Sequence, residues 1–294
     1  MKRATTERIG KLPVARRVVD LRRSIAGWRR AGETVALVPT MGALHAGHLA
    51  LVVRARELCD RVVTSIFVNP AQFGPNEDFA RYPRNEAGDA AKLTQARCDL
   101  LYAPAVEEIY PPGFSTMVTA GSIAEGLCGR FRPGHFAGVA TVVTKLLLEA
   151  QADVACFGEK DYQQLQVIRR VARDLDIPVR IEGVATVREA DGLALSSRNA
   201  YLTPEERAMA PALQCTLREV ARRVESGEAG IDAAVEAGSA ELIRSGFAKL
   251  DYLEVSDAET LAPLTRVDRP GRVLAAAWLG RTRLIDNVPL APQR

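Results

Sequence analysis

The chain predicts an α/β protein: a doubly wound parallel sheet followed by a smaller C-terminal α+β domain. Three observations carry this. Short apolar runs alternate with helix-period patterns through the first two thirds of the 294 residues. The runs at 62–68 and 153–157 are apolar on both faces, as strands enclosed within a parallel sheet must be. After about residue 187 the order changes to helices first and strands later, which places a domain boundary between 186 and 187.

The elements follow in order. A basic stretch, 1–17, reads as a short tail leading into a first helix rather than as an organelle transit peptide. That helix covers 15–31, with Val14, Val18, Leu21, Ile25 and Trp28 on one face. Strands are expected at 34–38, 62–68, 99–103, 116–120, 153–157 and 179–186, each an apolar or β-branched run. Helices are expected at 47–59, 85–96, 137–149 and 161–175. Beyond a polar loop at 188–199, helices near 204–226 and 231–245 precede strands at 250–256, 272–279 and 282–286.

Composition narrows the class. Hydrophobic residues make up 47% and charged residues 26%, ordinary for a soluble globular protein. A net charge of +3 gives no argument for nucleic-acid or membrane partners. No apolar stretch approaches the roughly 18 residues of a membrane span. The five cysteines are widely spaced and odd in number, form no C-x-x-C pair and none stands within a few residues of a histidine, which argues against structural zinc and a disulfide framework. Cys98 and Cys156 read as small core residues, and a cytoplasmic location fits best.

Two of the three histidines lie in Pro39-Thr-Met-Gly-Ala-Leu-His-Ala-Gly-His48. This segment joins strand 34–38 to helix 47–59, so His45 and His48 stand where a helix begins. A helix N-terminus presents free N–H groups and partial positive charge, which suits a phosphate chain. The glycines at 42 and 47 allow close ligand approach. Zinc would need a further ligand at helical spacing, and none follows. A purely structural histidine pair remains open at this point.

Three further segments each follow a strand. Asn69 and Gln72 offer carboxamides to a small polar substrate, although alone they would equally suit a solvated turn. Gly158-Glu-Lys-Asp161 opens helix 161–175. Lys160, one of only six lysines, would bring a compact cation to the phosphates, and Asp161 could cap the helix or hold a metal. Gln164 lies one turn further on and could face the same cleft. Ser196-Ser-Arg198, in a loop that looks mobile, could close on a triphosphate.

The histidine turn and the Ser-Ser-Arg loop together resemble the signature pair of the nucleotidyltransferase superfamily, which includes class I aminoacyl-tRNA synthetases. Longer stretches are similar to the pantothenate synthetase (pantoate–β-alanine ligase) family. They are Pro39 to His48, Ser65-Ile-Phe-Val-Asn-Pro-Ala-Gln-Phe73, Arg81-Tyr-Pro-Arg84, Arg132-Pro-Gly-His-Phe136, Cys156-Phe-Gly-Glu-Lys-Asp-Tyr-Gln-Gln164 and Asp191-Gly-Leu-Ala-Leu-Ser-Ser-Arg-Asn199. Ala275-Ala-Ala-Trp-Leu-Gly280 and Arg283-Leu-Ile-Asp-Asn287 extend the likeness toward the C-terminus.

The resemblance implies a Rossmann-like nucleotide- and pantoate-binding domain over 1–186 and a lid domain over 187–294. It implies ATP-dependent joining of pantoate to β-alanine through pantoyl adenylate, with release of AMP and pyrophosphate, by a homodimer. Met41, Gly42, His45, Gly47, His48, Gly158, Lys160, Asp161, Val187, Leu195, Ser196, Ser197 and Arg198 would hold ATP. His45, Lys160 and Arg198 would act in catalysis beside His48, the family's assigned proton donor. Gln72 and Gln164 would bind pantoate, with Asn69 nearby and Arg132 closing over the site. Magnesium is implied by the ATP chemistry, with Asp89 as its candidate ligand. Gly88 and Lys92 stand where some relatives carry metal-supporting side chains, so phosphates and water could also hold the ion. Another adenylating enzyme of the same superfamily is the alternative. A tRNA synthetase would share the histidine turn, but no basic anticodon-binding extension accompanies it here. A non-catalytic nucleotide-binding module would give no reason for the two glutamines.

Overall fold

The computed structural model describes residues 7–75, 77 and 79–292. Within them run ten strands: β1 Glu7–Ile9, β2 Leu12–Ala15, β3 Val35–Thr40, β4 Arg61–Ile66, β5 Leu100–Tyr102, β6 Val154–Gly158, β7 Arg180–Val184, β8 Lys249–Asp257, β9 Gly271–Leu279 and β10 Thr282–Leu290. The α-helices are α1 Val18–Arg30, α2 Ala46–Leu58, α3 Glu86–Gln95, α4 Val106–Ile109, α5 Cys128–Phe131, α6 His135–Ala150, α7 Tyr162–Asp174, α8 Pro204–Met209, α9 Ala212–Glu225 and α10 Ile231–Arg244. They form two compact units. The first holds the described residues through Ala120 with Arg132–Glu159 and Val167–Ala185, and the second holds Gly121–Phe131, Lys160–Gln166 and the chain from Thr186 onward.

The first unit is built on a seven-stranded sheet in the order β1-β2-β5-β4-β3-β6-β7, parallel except for the antiparallel β1–β2 pair. Alternation sorts its side chains between two faces. Ala36, Val38, Val62, Val154 and Cys156 pack with Leu51, Val52 and Ala55 of α2 and Ala90 and Leu93 of α3. Val35, Leu37, Val63 and Ala155, the residues between them, are equally buried, so both faces are covered. The chain leaves β3 toward β4 on one side, while β6 and β7 lie on the other. In open α/β sheets ligands bind beyond the carboxyl ends of the strands at such a reversal, which here falls between β3 and β6. The histidine turn follows β3 directly.

The doubly wound class and the smaller α+β region are as expected, with three local corrections. Leu12–Ala15 is a strand paired with β5, not the lead-in to a helix; Val14 is a core strand residue and α1 starts at Val18. Pro13 and β-branched Val14 favour that extended backbone. Residues 1–6 of the expected tail lie outside the described residues. Residues 116–120 form no strand, because no ladder partner is offered among the described residues; the Val118 N–H donates instead to Thr141 Oγ1 at 2.9 Å. Finally, the helix expected over 204–226 breaks between α8 and α9, where Pro211 removes a backbone donor.

In the second unit β8, β9 and β10 form an antiparallel sheet. Val273, Ala275, Ala277 and Leu279 of β9 face Leu213, Leu217, Val220 and Val224 of α9 and Ala234 and Leu242 of α10. The turn after β8 is organised by Asp257, which accepts from the Glu259 and Thr260 amides at 2.9 and 2.7 Å and from Arg269 Nε at 2.7 Å. Burial opposes its charge, but these donors outweigh burial and lower its pKa from 3.8 to about 2. A carboxyl with a depressed folded pKa contributes stability above its unfolded pKa and loses it as pH falls through the folded one. We therefore expect Asp257→Asn to cost about 2 kcal/mol at pH 7. Denaturant melts should show the difference shrinking between pH 3.8 and about 2; a gap constant over that window would contradict the assignment.

Candidate functional site

The histidine turn is held by its own side chains. His45, with an extended backbone, is the N-cap of α2. Its Nδ1 accepts the Gly47 N–H at 3.1 Å, and His48 Nδ1 accepts the His45 N–H at 3.3 Å. This reciprocal cap meets two of the orphan donors at the helix start. An imidazole nitrogen that accepts carries no proton, so in each neutral ring the proton is on Nε2. The rings stand 4.1 Å apart, centroid to centroid. No acidic residue occupies the first turn of this 13-residue helix to cancel its positive end. Two imidazole donors at a helix N-terminus are suited to anionic oxygens.

The lead-in to that cap is left-handed. Gly42 has φ +83°, and Ala43, which has a Cβ, has φ +51°. A Cβ at Gly42 would come within 3.1 Å of Ile66 Cγ2 and 3.2 Å of Asp89 Oδ2, so only glycine fits. Asp89 is 2% exposed. Its oxygens accept from the Ala43 and Leu44 amides at 2.8 and 2.9 Å. Among the described residues no group of three or more His, Cys, Asp or Glu could hold a metal ion. A carboxylate so enclosed has no room for the water-rich octahedral shell that magnesium keeps. The expected metal-ligand role for Asp89 does not fit this structure.

The carboxamides form a second cluster in the same unit. Asn69 caps a 3₁₀ turn at Pro70–Gln72. Its Oδ1 accepts from the Ala71 N–H and the Tyr110 hydroxyl, while its Nδ2 donates to Gln72 Oε1 and the Gly138 carbonyl. Burial pushes the Tyr110 phenol up to about 12 against the opposing bond to Asn69, so the hydroxyl keeps its proton. Gln72 Nε2 lies 3.1 Å from Met41 Sδ. Asn69 is thus fully engaged within the protein and fixes which way the Gln72 amide points. The solvated-turn reading is excluded, since Asn69 is buried.

Arg132 does not stand ready to close over a ligand. Its Nε donates to Glu77 Oε1 at 2.8 Å and its Nη1 lies 3.0 Å from His135 Nε2. Burial opposes the Glu77 charge, but the guanidinium outweighs it and holds the carboxyl below its ordinary range. An arginine only donates, so His135 Nε2 accepts and its Nδ1–H donates to the Gln72 carbonyl at 2.8 Å. Glu77, Arg132 and His135 brace the same turn from the other side. Gly138 completes it: a Cβ there would meet the Ala71 carbonyl oxygen at 2.2 Å.

In the second unit, Lys160 lies in a 3₁₀ turn at Glu159–Asp161 that follows β6. Its carbonyl accepts from Asn287 Nδ2 at 3.0 Å, and Arg272 Nη1 donates to Asn287 Oδ1 at 2.7 Å. Arg272 also stacks 4.0 Å above the Tyr162 ring. The Asp161 carboxylate is exposed, with Oδ2 3.9 Å from Lys160 Nζ. Gln164 is half-buried in the first turn of α7. The loop expected to be mobile is a stapled hairpin: Arg188 bridges to Ala194, and the Leu195 N–H donates to the Val187 carbonyl at 3.0 Å. Arg188 is in turn clamped on Asp286 at 2.6 and 2.9 Å. Ser196 caps the 3₁₀ turn Ser197–Tyr201, its Oγ accepting the Arg198 N–H. Gly158 closes β6 in the first unit.

A family model described as pantoate-beta-alanine ligase matches residues 13–289. The chain belongs to the pantoate-beta-alanine ligase family. It is 62% identical over 279 residues to the pantothenate synthetase of Paramagnetospirillum magneticum, covering 95% of this chain and 98% of that relative. It is 57% identical over 278 residues to the pantothenate synthetase of Rhodospirillum rubrum, covering 94% and 98%. The crystal structure of pantothenate synthetase from Thermus thermophilus matches this ligase with a TM-score of 0.89 at 48% identity, over 95% of this chain and 99% of that one. The pantoate-beta-alanine ligase of Francisella tularensis, complexed with beta-gamma ATP and beta-alanine, matches with a TM-score of 0.78 at 33% identity, over 94% and 97%.

Several supporting residues of this ligase are invisible to sequence reasoning. Tyr110, Glu77 and Gly138 act through tertiary contacts that no local pattern announces. Asn287 and Asp286 lie in a motif whose resemblance carries no role for them. We expect Gly138→Ala to cost ~1–3 kcal/mol by overpacking and to raise the KM for pantoate. A variant destabilised by that amount with an unchanged pantoate KM would separate this turn from the substrate.

Proposed function

We propose a division of labour among these residues for the reaction of the family, the ATP-dependent condensation of pantoate with β-alanine. The pantoate carboxylate attacks the α-phosphorus of ATP, pyrophosphate leaves, and pantoyl adenylate forms. The β-alanine amine then attacks the acyl carbon and AMP departs. Both steps move negative charge without needing a nucleophilic side chain, so positioning and charge stabilisation are the demands on the protein.

In this reading His45 and His48 present Nε2–H donors to the phosphate oxygens at the α2 terminus, with Met41, Gly42 and Gly47 against the nucleotide. Lys160 and Arg198 add positive charge, and Ser196 and Ser197 add hydroxyls. Gly158, Asp161, Val187 and Leu195 complete the nucleotide contacts. Gln72 and Gln164 take the hydroxy-acid, while Asn69 and Arg132 orient Gln72 instead of touching substrate. The observation that carries the reading is the reciprocal histidine cap, because it explains why both imidazoles must be present and which nitrogen of each donates. The phosphates of the nucleotide would hold magnesium, which would offset their charge, and no step is assigned to a protein-bound ion. Residues 187–294 serve as a lid domain, and the protein works as a homodimer in the cytoplasm. No helix among the described residues is long and apolar enough to cross a membrane.

The decisive assay is isotope exchange. Pantoate alone should support exchange of labelled pyrophosphate into ATP; exchange that strictly required β-alanine would rule out a free adenylate. His48→Ala should lower kcat by about 10²–10³-fold, the scale for losing one charge-stabilising donor. A kcat within error of the parent would remove His48 from the chemistry.

A further inference from the structure

We infer that Asp89 and Lys92 form a two-point clamp that positions the histidine turn, and that Asp89 serves as this clamp rather than as a magnesium ligand. The two residues sit one turn apart on α3. Successive left-handed residues, Gly42 and Ala43, turn the amides of Ala43 and Leu44 toward a common point, a backbone nest of the kind that binds anions. That nest is filled from within, by the Asp89 carboxylate at 2.8 and 2.9 Å. Lys92 Nζ donates to the Leu44 carbonyl at 2.6 Å. The N–H and the C=O of Leu44 are therefore both held by α3, and its side chain is buried. The next residue is His45.

The clamp accounts for the conformation of Ala43, whose Cβ disfavours its positive φ. Without the carboxylate nothing on α3 would keep its amide pointing inward. It also accounts for the charge balance. The Lys92 ammonium lies 3.9 Å from Asp89 Oδ1, already offsetting the charge that a divalent cation would need. With the nest occupied, ligand phosphates are left the α2 terminus beyond it, where the two imidazoles are. This inference rests on the proposed role of the histidines only for its catalytic consequence; the clamp itself stands on the backbone geometry.

The test compares Asp89→Asn and Lys92→Met with the parent in the pantoate-dependent exchange assay across a magnesium titration. Asp89→Asn replaces one accepting oxygen with an amide NH2 that cannot accept. We expect kcat to fall by up to about 10²-fold, the scale of a misplaced catalytic group, while the magnesium concentration for half-maximal rate stays put. Lys92→Met, at a side chain 48% exposed and so tolerant of replacement, should lower kcat in the same manner and serves if the first variant fails to fold. Manganese alone, without nucleotide, should show equal binding to parent and variants by electron paramagnetic resonance. Leu44 amide exchange with deuterium should accelerate in both variants. A higher magnesium requirement in Asp89→Asn with kcat restored at saturating metal, or manganese binding lost with the carboxylate, would overturn the inference. So would unchanged Leu44 exchange. If Leu44 exchange accelerates but kcat does not move, the clamp is present and the catalytic reading of the histidines has failed.

Discussion

The structure depends on the reciprocal cap in which the two imidazoles at the start of α2 satisfy backbone N–H groups through Nδ1. A serine or aspartate would cap the helix as well, but aspartate would bring a negative charge to the site and serine has only a short hydroxyl. An imidazole has a second nitrogen. Capping with Nδ1 leaves Nε2 protonated, so the same side chain closes the helix and donates elsewhere. Each ring fixes the tautomer that makes it useful.

That arrangement explains why so much polar machinery is spent on loops. The turn ahead of His45 is held by buried Asp89 and by Lys92; the turn carrying Gln72 is held by Asn69, Tyr110 and His135. In the second unit Asn287 holds the backbone at Lys160, and Arg188 holds the hairpin ahead of Ser196. A buried polar group that lacks a partner is costly, and Asp89 and Asn69, the most buried of these loop-holding residues, both have theirs. Mutual satisfaction makes the loops definite. Side chains on loops held in this way are ordered within the chain itself, and preorganisation of that kind lowers the ordering cost of binding.

Much of this is legible in the sequence, for a physical reason. The strands β3, β4 and β6 are enclosed on both faces and so are dominated by apolar residues, with Thr64 and Ser65 of β4 buried among them. The helix α7 keeps a clear 3.6-residue apolar period, while α6, buried nearly all round, is legible as a long apolar run between turn signals. The histidine turn is legible because its chemistry is local: donors, glycines and helix start fall within ten residues. What escapes is non-local. Nothing near Asp89 says that its carboxylate reaches back 46 residues in the chain to the Ala43 amide, and so it reads as a metal ligand. Arg132 reads as a closing residue because the sequence shows the guanidinium but not Glu77 beside it. Strand β2 is hidden because its partner β5 lies far along the chain. Residues 116–120 look like a strand because β-branched composition alone does not supply a partner.

The tautomers of His45 and His48 test the central claim most directly. Nitrogen-15 labelled protein, observed through long-range proton–nitrogen couplings of the imidazoles at a pH where the rings are neutral, reads which nitrogen carries the proton. Both rings should report protonated Nε2 and bare Nδ1 in the absence of any ligand. A protonated Nδ1 on either ring would break the reciprocal cap, and with it the origin of the paired donors at the start of α2.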